Sequence, residues 1–425
     1  MGRLKFLIIL FVILIIGAIP IVNASRDHII EDNKAFSYSR DSVCYNLSKY
    51  YKAGAYYIQD TVDLQGKTWY LPSDITLVVK KGFIKNGIII GKKTRLHYTG
   101  AIFDNVHIEG DWIVPSIKTS MFSSLDYENS LKDVFAFANP EVQNELYIAK
   151  GHYYVTAKSN KEKCLIIGSN TKVTIDGDIH LKPNDLEECS IIYVSGNNIQ
   201  LSGKGTVFGD KHCHKGIKGE WGMGLFISSS CDVNIDNLKI KDCWGDCIYI
   251  TKNSRGVMIN NCSLDHGRRQ GVSVISGDNV FIENCTISNV GGTSPQYAID
   301  IEPNEGDSVG RVYIKNVNVI NCCGGFMCYG KATASEIGFI EIRNCNIRGA
   351  EFSPMSFNAC KRLKVDNNTV EYSTGENVIV CDEISDLRVS RNTIFINKKI
   401  QSIDKAIVVD NTKRKTINRN LIKVL

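Results

Sequence analysis

The stretch Val233–Ile240 reads VNIDNLKI, and the same phrase keeps returning. It recurs as VMINNCSL from Val257, VFIENCTI from Val280, VYIKNVNV from Val312, IEIRNCNI from Ile340, LKVDNNTV from Leu363 and LRVSRNTI from Leu387. Subtracting successive start positions gives spacings of 24, 23, 32, 28, 23 and 24 residues. Weaker copies lie upstream, VTIDGDIH at Val173 and IQLSGKGT at Ile199. A self-similar period in the twenties is the signature of a solenoid. Within each copy apolar and polar residues alternate, which is the period of a strand. A second apolar run follows about ten residues later: DCIYI at Asp246, GVSVI at Gly271 and AIDIE at Ala298. Each coil therefore holds at least two strands, and coils stack at the strand-pairing distance of about 4.8 Å. A leucine-rich repeat is the rival solenoid, but β-branched residues dominate and its leucine framework is missing. The reading is an all-β chain, a single right-handed parallel β-helix with an irregular N-terminal cap.

The stack accounts for residues that would otherwise attract functional readings. Asn237, Asn261, Asn284, Asn316, Asn344 and Asn367 share one column and are expected as stacked, buried amides that hydrogen-bond along a turn. The next column holds Cys262, Cys285 and Cys345, interrupted by Val317. These cysteines read as small buried apolar groups. The chain has 15 cysteines, an odd number, and they follow the coil period rather than a metal or disulfide spacing.

Other bounds are broader. The 425 residues carry 50 basic and 45 acidic side chains, too even a balance to indicate nucleic acid. Arg3 and Lys5 precede an apolar run, Phe6–Val22, and Val22-Asn23-Ala24 ends it with a small-residue cleavage site. That is the pattern of a secretory signal. The expected organisation is residues 1–24 as signal peptide, 25–148 as lead-in and cap, and 149–425 as β-helix with a C-terminal cap. The lead-in includes a helix-like segment, Leu125–Asn144, and the basic tail after Ile400 closes the far end. Secreted or periplasmic placement follows, with no stable membrane insertion after cleavage.

Two further stretches carry a resemblance. AFANPEVQNELYIAKGHYYV from Ala136 and VDLQGKTWYLPSDITLVVKKGFIKNGIIIG from Val62 resemble the pectate lyase superfamily in its broad right-handed β-helix sense. The stretch from Val62 is similar to the opening of exported and phage-associated β-helix proteins of gut Bacteroidetes. The resemblance covers most of the mature chain and implies the fold and a polysaccharide partner. It leaves the reaction open among lyases, hydrolases, epimerases and tailspikes. Against polygalacturonases, Asp246 in WGDC matches the second residue of their Asp pair, but Gly245 replaces the first. Gln270 stands where they carry a histidine, and their Arg-Ile-Lys motif has no counterpart. The likeness to alginate epimerases is loose, and the acidic calcium cluster of pectate lyases is not evident.

Aligning the second strands by their inward residues brings chemistry-bearing side chains to one outer face. Tyr249, Thr251, Ser273, Asp300 and Glu302 alternate with the inward positions. Trp244, Asp246, Arg268, Arg269 and Gln270 lie just before the strands, His266 slightly earlier, and Glu220 and Trp221 one coil below. Long coils before Val233 and Val312, of 34 and 32 residues, are expected to flank a cleft. The candidate catalytic residues are Asp246, His266, Arg268, Arg269, Asp300 and Glu302. The candidate substrate-binding residues are Glu220, Trp221, Trp244, Tyr249, Gln270 and Ser273. A hydrolase would share acid and base roles between Asp300 and Glu302, about two strand rises of 3.3 Å apart. A lyase or epimerase would neutralise a uronate with Arg268 or Arg269 and move the proton with His266 or Asp246. A binding-only protein is the third reading, in the manner of an adhesin or tailspike. The bland alternative is a structural ion pair between Asp246 and Arg269. His212-Cys213-His214 lacks a fourth ligand at zinc spacing. No metal or cofactor is expected, with calcium left open, and so is a homotrimer.

Overall fold

The computed structural model describes residues 54–125, 130–372, 374–375, 377–396 and 403–424. The signal-peptide reading and part of the helix-like segment lie outside them. Among the described residues, no helix is long and apolar enough to cross a membrane. Three long sheets of twelve, eleven and ten strands run along the chain, every neighbouring pair parallel and one strand per coil in each. The repeated phrase is two strands rather than one. Cys231–Asp236 lies in the twelve-stranded sheet and Lys239–Lys241 in the eleven-stranded sheet. The second apolar run, Ile248–Thr251 in this coil, lies in the ten-stranded sheet. Register follows the phrase: Val233 pairs with Val257, then Val280, then Val312.

The bend between the first two strands explains the asparagine column. Asn237, Asn261, Asn284, Asn316, Asn344 and Asn367 all take φ between 53° and 56°. Among residues with a side chain, asparagine tolerates this left-handed region best, because its short amide bonds locally. Contrary to expectation these residues are exposed, not buried. Their amides still form a ladder, with Asn284 Nδ2 donating to Asn260, Asn316 to Asn284, and Asn367 to Asn344, at 2.8–2.9 Å.

The buried column is the next one. Leu238, Cys262, Cys285, Val317 and Cys345 fill it in the middle coils, all within 2 % exposure. Near the C-terminal end Asn368 and Asn392 take the same positions, and they too are buried. Each accepts a backbone N–H from the coil before and donates Nδ2 to a carbonyl, Ile342 for Asn368 and Val365 for Asn392. Asn392 Nδ2 also reaches Asn420 at 2.9 Å. These are stacked buried amides of the kind expected, one column further on. All fourteen described cysteines are free thiols, and burial pushes those of Cys322 and Cys345 up to about 12.

The ends are built differently. Six N-terminal strands between Ala55 and Ile113 form their own parallel sheet. The helix Ser130–Phe135 buries Leu131 and Val134 beside it and spans much less than Leu125–Asn144. Pairing of the long sheets begins with Ser116–Lys118 and Asn144–Ile148, ahead of Ala149. The basic tail is a last coil, adding Ile407–Asp410, Arg414–Asn418 and Leu421–Val424 to the three sheets.

Two expectations follow. Asn392→Ala removes donors and acceptors that pair buried backbone groups, each worth about 1–3 kcal/mol when orphaned. Urea unfolding should show a loss of about 2 kcal/mol or more, and a loss no larger than that of an exposed Asn284→Ala would contradict the ladder's role. Thiol titration in denaturant without reductant should recover Cys262 and Cys285 as free. A quantitative bridge between them, seen by mass spectrometry, would overturn that assignment.

Candidate functional site

The outward side of the ten-stranded sheet is set by register. Ile248, Val272 and Ile299 pair across three coils, as do Ile250, Val274 and Ile301, and all point inward and are buried. The alternate positions place Tyr249, Ser273 and Asp300 in one outward column. Asp246 enters just before the first of these strands. Its neighbour Gly245 is pressed against the coil below, where an added Cβ would lie 2.5 Å from the Glu220 carbonyl oxygen. Close packing therefore excludes a second aspartate at that position.

Asp246 and Asp300 are both fully buried. Asp246 Oδ2 accepts from the Ser273 hydroxyl at 2.7 Å and from Arg269 Nη1 at 3.4 Å. Burial pushes the Asp246 carboxyl up to about 6, while Arg269 and Ser273 favour its charged form. Asp300 Oδ2 accepts from Gln270 Nε2 at 2.9 Å. Burial, then the neighbouring Glu302, raise the Asp300 carboxyl well above the usual range, against the pull of Arg269. Glu302 lies two positions further along the same strand face, and its charge adds to the rise at Asp300. Oδ1 of each aspartate is buried without a hydrogen-bond partner among the described residues. Burial opposes the charge on Arg269, but Asp246, Asp300, Glu220 and Glu302 together hold its pKa above the ordinary value.

Seven of the twelve candidate residues thus form one cluster: Arg269 with the carboxylates of Glu220, Asp246, Asp300 and Glu302, and Ser273 and Gln270 bonded to the two aspartates. Tyr249 joins them beside Asp246, with burial pushing its phenol up to about 12. Ser273 and Gln270 are spent internally, Gln270 Oε1 also taking the Tyr297 N–H at 2.8 Å. Trp221 is 40 % exposed and lies on the rim.

The other candidates go elsewhere. His266 faces the neighbouring sheet, bonded to Asp265 at 2.8 Å with His212 edge-on to it, and does not meet Asp246. Left-handed backbone at His266 (φ 55°) turns it away. Trp244 is covered by Arg268 at 3.7 Å and by the His214 ring at 3.9 Å, so it is not a free platform for a sugar. Arg268 also donates to the Gly219 carbonyl, which fixes the long loop rather than leaving the cation free. His212 and His214 diverge: His212 lies 3.1 Å from Asp242 on the surface, and His214 bonds Asp210 at 2.8 Å in the interior. The two long loops do not stand apart around an open cleft, because Lys211 Nζ donates to the Gly291 carbonyl at 3.0 Å and ties them together. A surface pocket of about 380 Å³ lies one face away, lined by Tyr154, His180, Phe208, His212 and Asp242 among others.

Arg269→Ala should leave buried carboxylates facing no compensating guanidinium. A folded-state pKa raised above the unfolded value means stability present at low pH and lost as pH rises through about 6. The variant should steepen that loss. Guanidinium denaturation should show a deficit of about 3–5 kcal/mol near neutral pH, shrinking towards pH values below the unfolded carboxyl pKa. An equal deficit at both pH values would refute the charge cluster.

Comparison with known proteins bears on the fold. The family model described as "Right handed beta helix region" matches residues 171–339. Uncharacterized protein YclG of Bacillus subtilis (strain 168) is 32% identical over 166 residues, 34% of this chain and 28% of that protein. The SPbeta prophage-derived uncharacterized protein YorA of the same organism is 29% identical over 160 residues, 32% of this chain and 27% of that protein. The match thus spans little more than a quarter of the length of these curated relatives. Among solved structures, an exopolygalacturonase from Thermotoga maritima shares 12% identity at TM-score 0.44, covering 70% of this chain and 86% of its own. A tailspike protein of Acinetobacter baumannii bacteriophage Fri1, a capsular polysaccharide depolymerase, shares 15% at 0.43, covering 72% and 62%. Three parallel sheets with one strand of each per coil, together with the family match, make this chain a right-handed parallel β-helix.

Proposed function

We propose that this protein acts on a polysaccharide outside the cytoplasm, as a glycoside hydrolase-like enzyme working from the outer face of the ten-stranded sheet. The observation that carries the reading is the Asp300–Glu302 pair. A buried carboxyl raised well above its ordinary range by burial and by the charge of a second one favours its protonated form, the form that can give a proton to a leaving glycosidic oxygen. Asp246, pushed up to about 6 and separated from Asp300 by the Ser273 coil, would serve as the base that activates water. Arg269 favours the charged form of Asp246. The lyase or epimerase reading is weaker, because Arg269 is already shared among carboxylates and His266 is elsewhere.

Burial also shapes the alternative. A glycan would first meet Glu220, Trp221, Arg269 and Glu302, and would reach the two aspartates only when these side chains shift. That concealment favours, as a second reading, a glycan-binding protein without turnover.

The test is a screen of the purified protein on uronate-containing and neutral polysaccharides. Both reducing ends and the ultraviolet absorbance of unsaturated products should be followed. Reducing ends without that absorbance are expected. In folded protein Asp300→Asn and Glu302→Gln should lower the rate by about 10²–10⁴-fold with an unchanged Tm. Unsaturated products would replace the hydrolase reading with a lyase. Retention on a glycan without any product would favour the binding reading.

A further inference from the structure

Away from the carboxylate cluster, the outer side of the eleven-stranded sheet collects imidazoles. His152 and Asp178 are register partners on successive coils, and His180 follows Asp178 by two positions, so the three side chains share one face of the sheet. Nδ1 of His152 lies 3.3 Å from Nε2 of His180 and 3.8 Å from Oδ2 of Asp178. The three potential ligand atoms all lie within 4.8 Å of one another. Their orientations are held from outside the cluster. Asp178 Oδ1 accepts the Thr206 N–H at 3.0 Å, which leaves Oδ2 for the histidines. The His180 ring is stacked between Tyr154 on the coil before and Phe208 on the coil after, at centroid distances of 5.3 and 4.5 Å.

We propose that His152, Asp178 and His180 bind a divalent transition-metal ion of the zinc or copper type through Nδ1, Oδ2 and Nε2. Zinc–nitrogen bonds of about 2.0–2.1 Å in tetrahedral geometry put neighbouring ligand atoms about 3.3–3.4 Å apart. The His152–His180 separation matches that edge, and rotation of the exposed His152 side chain closes the longer gap to Asp178. Two imidazoles and one carboxylate suit zinc or copper, whereas calcium takes six to eight oxygens and would find one carboxylate here. Metal ligation needs neutral imidazoles, so uptake should weaken as pH falls. The fourth position would be open to water, beside the pocket that Tyr154, His180 and Phe208 line. The ion would clip two coils together, so binding also stabilises the fold.

An imidazole–imidazole hydrogen bond has the same spacing, and titration with metal separates the two. The untagged full chain, its accessible thiols capped with iodoacetamide, is titrated calorimetrically with zinc chloride near neutral pH, with calcium chloride as the contrast. One zinc per chain, no calcium uptake and a zinc-dependent rise in Tm are expected. His152→Ala and His180→Ala should each weaken zinc by roughly tenfold or more and abolish the rise in Tm. His212→Ala and His266→Ala should leave both unchanged. No zinc uptake by the wild-type chain, or undiminished uptake by the His152→Ala/His180→Ala double variant, would overturn the proposal.

Discussion

Backbone hydrogen bonds between equivalent residues of successive coils are the constraint from which the rest of this structure follows. Once Val233 pairs with Val257 and Val257 with Val280, every side chain acquires a neighbour one coil away, in register and about 4.8 Å distant. Like then stacks on like. Isoleucines fill the core from Ile235 to Ile342, thiols line up at Cys262 and Cys285, and amides form ladders both outside and inside the wall. A slip of one residue would turn each core side chain outward, so the inward columns and the pairing reinforce each other.

The same stacking creates the charge cluster and limits it. Carboxylates on neighbouring coils are forced together whether or not they repel, and the molecule answers with one guanidinium. Arg269 faces Asp246, Asp300, Glu220 and Glu302, and the two buried aspartates are raised above their ordinary range in spite of it. An ion pair and carboxyls that favour their protonated form are therefore parts of one arrangement. The Asp246–Arg269 contact braces two coils, and burial raises the carboxyls beside it.

Much of the architecture is legible in one phrase and its period. The alternation in VNIDNLKI names the inward residues, and the alignment of Ile248, Val272 and Ile299 is the observed register. The left-handed bend is less legible. The asparagine column is plain in the repeat, but its position on the exposed side comes from backbone conformation, which periodicity does not encode. The buried amide ladder lies one position further, at Asn368 and Asn392, in a column that begins as cysteine and apolar residues.

The sequence by itself determined that the chain is a stacked solenoid, which residues share a column, and that Asp246, Arg269 and Asp300 fall on neighbouring coils. A local repeat is enough for this, because parallel stacking turns sequence period into spatial position. Only the tertiary structure decided how the side chains in those positions are used. His266 was turned to another face by its left-handed backbone, Trp244 was covered by His214 and Arg268, and Gly245 was closed to any side chain by the Glu220 carbonyl. The grouping of His152, Asp178 and His180 likewise depends on the pairing of two strands whose sequences share no obvious motif. Burial, charge and contact belong to the environment that neighbouring coils create, and the environment exists only after the coils have stacked.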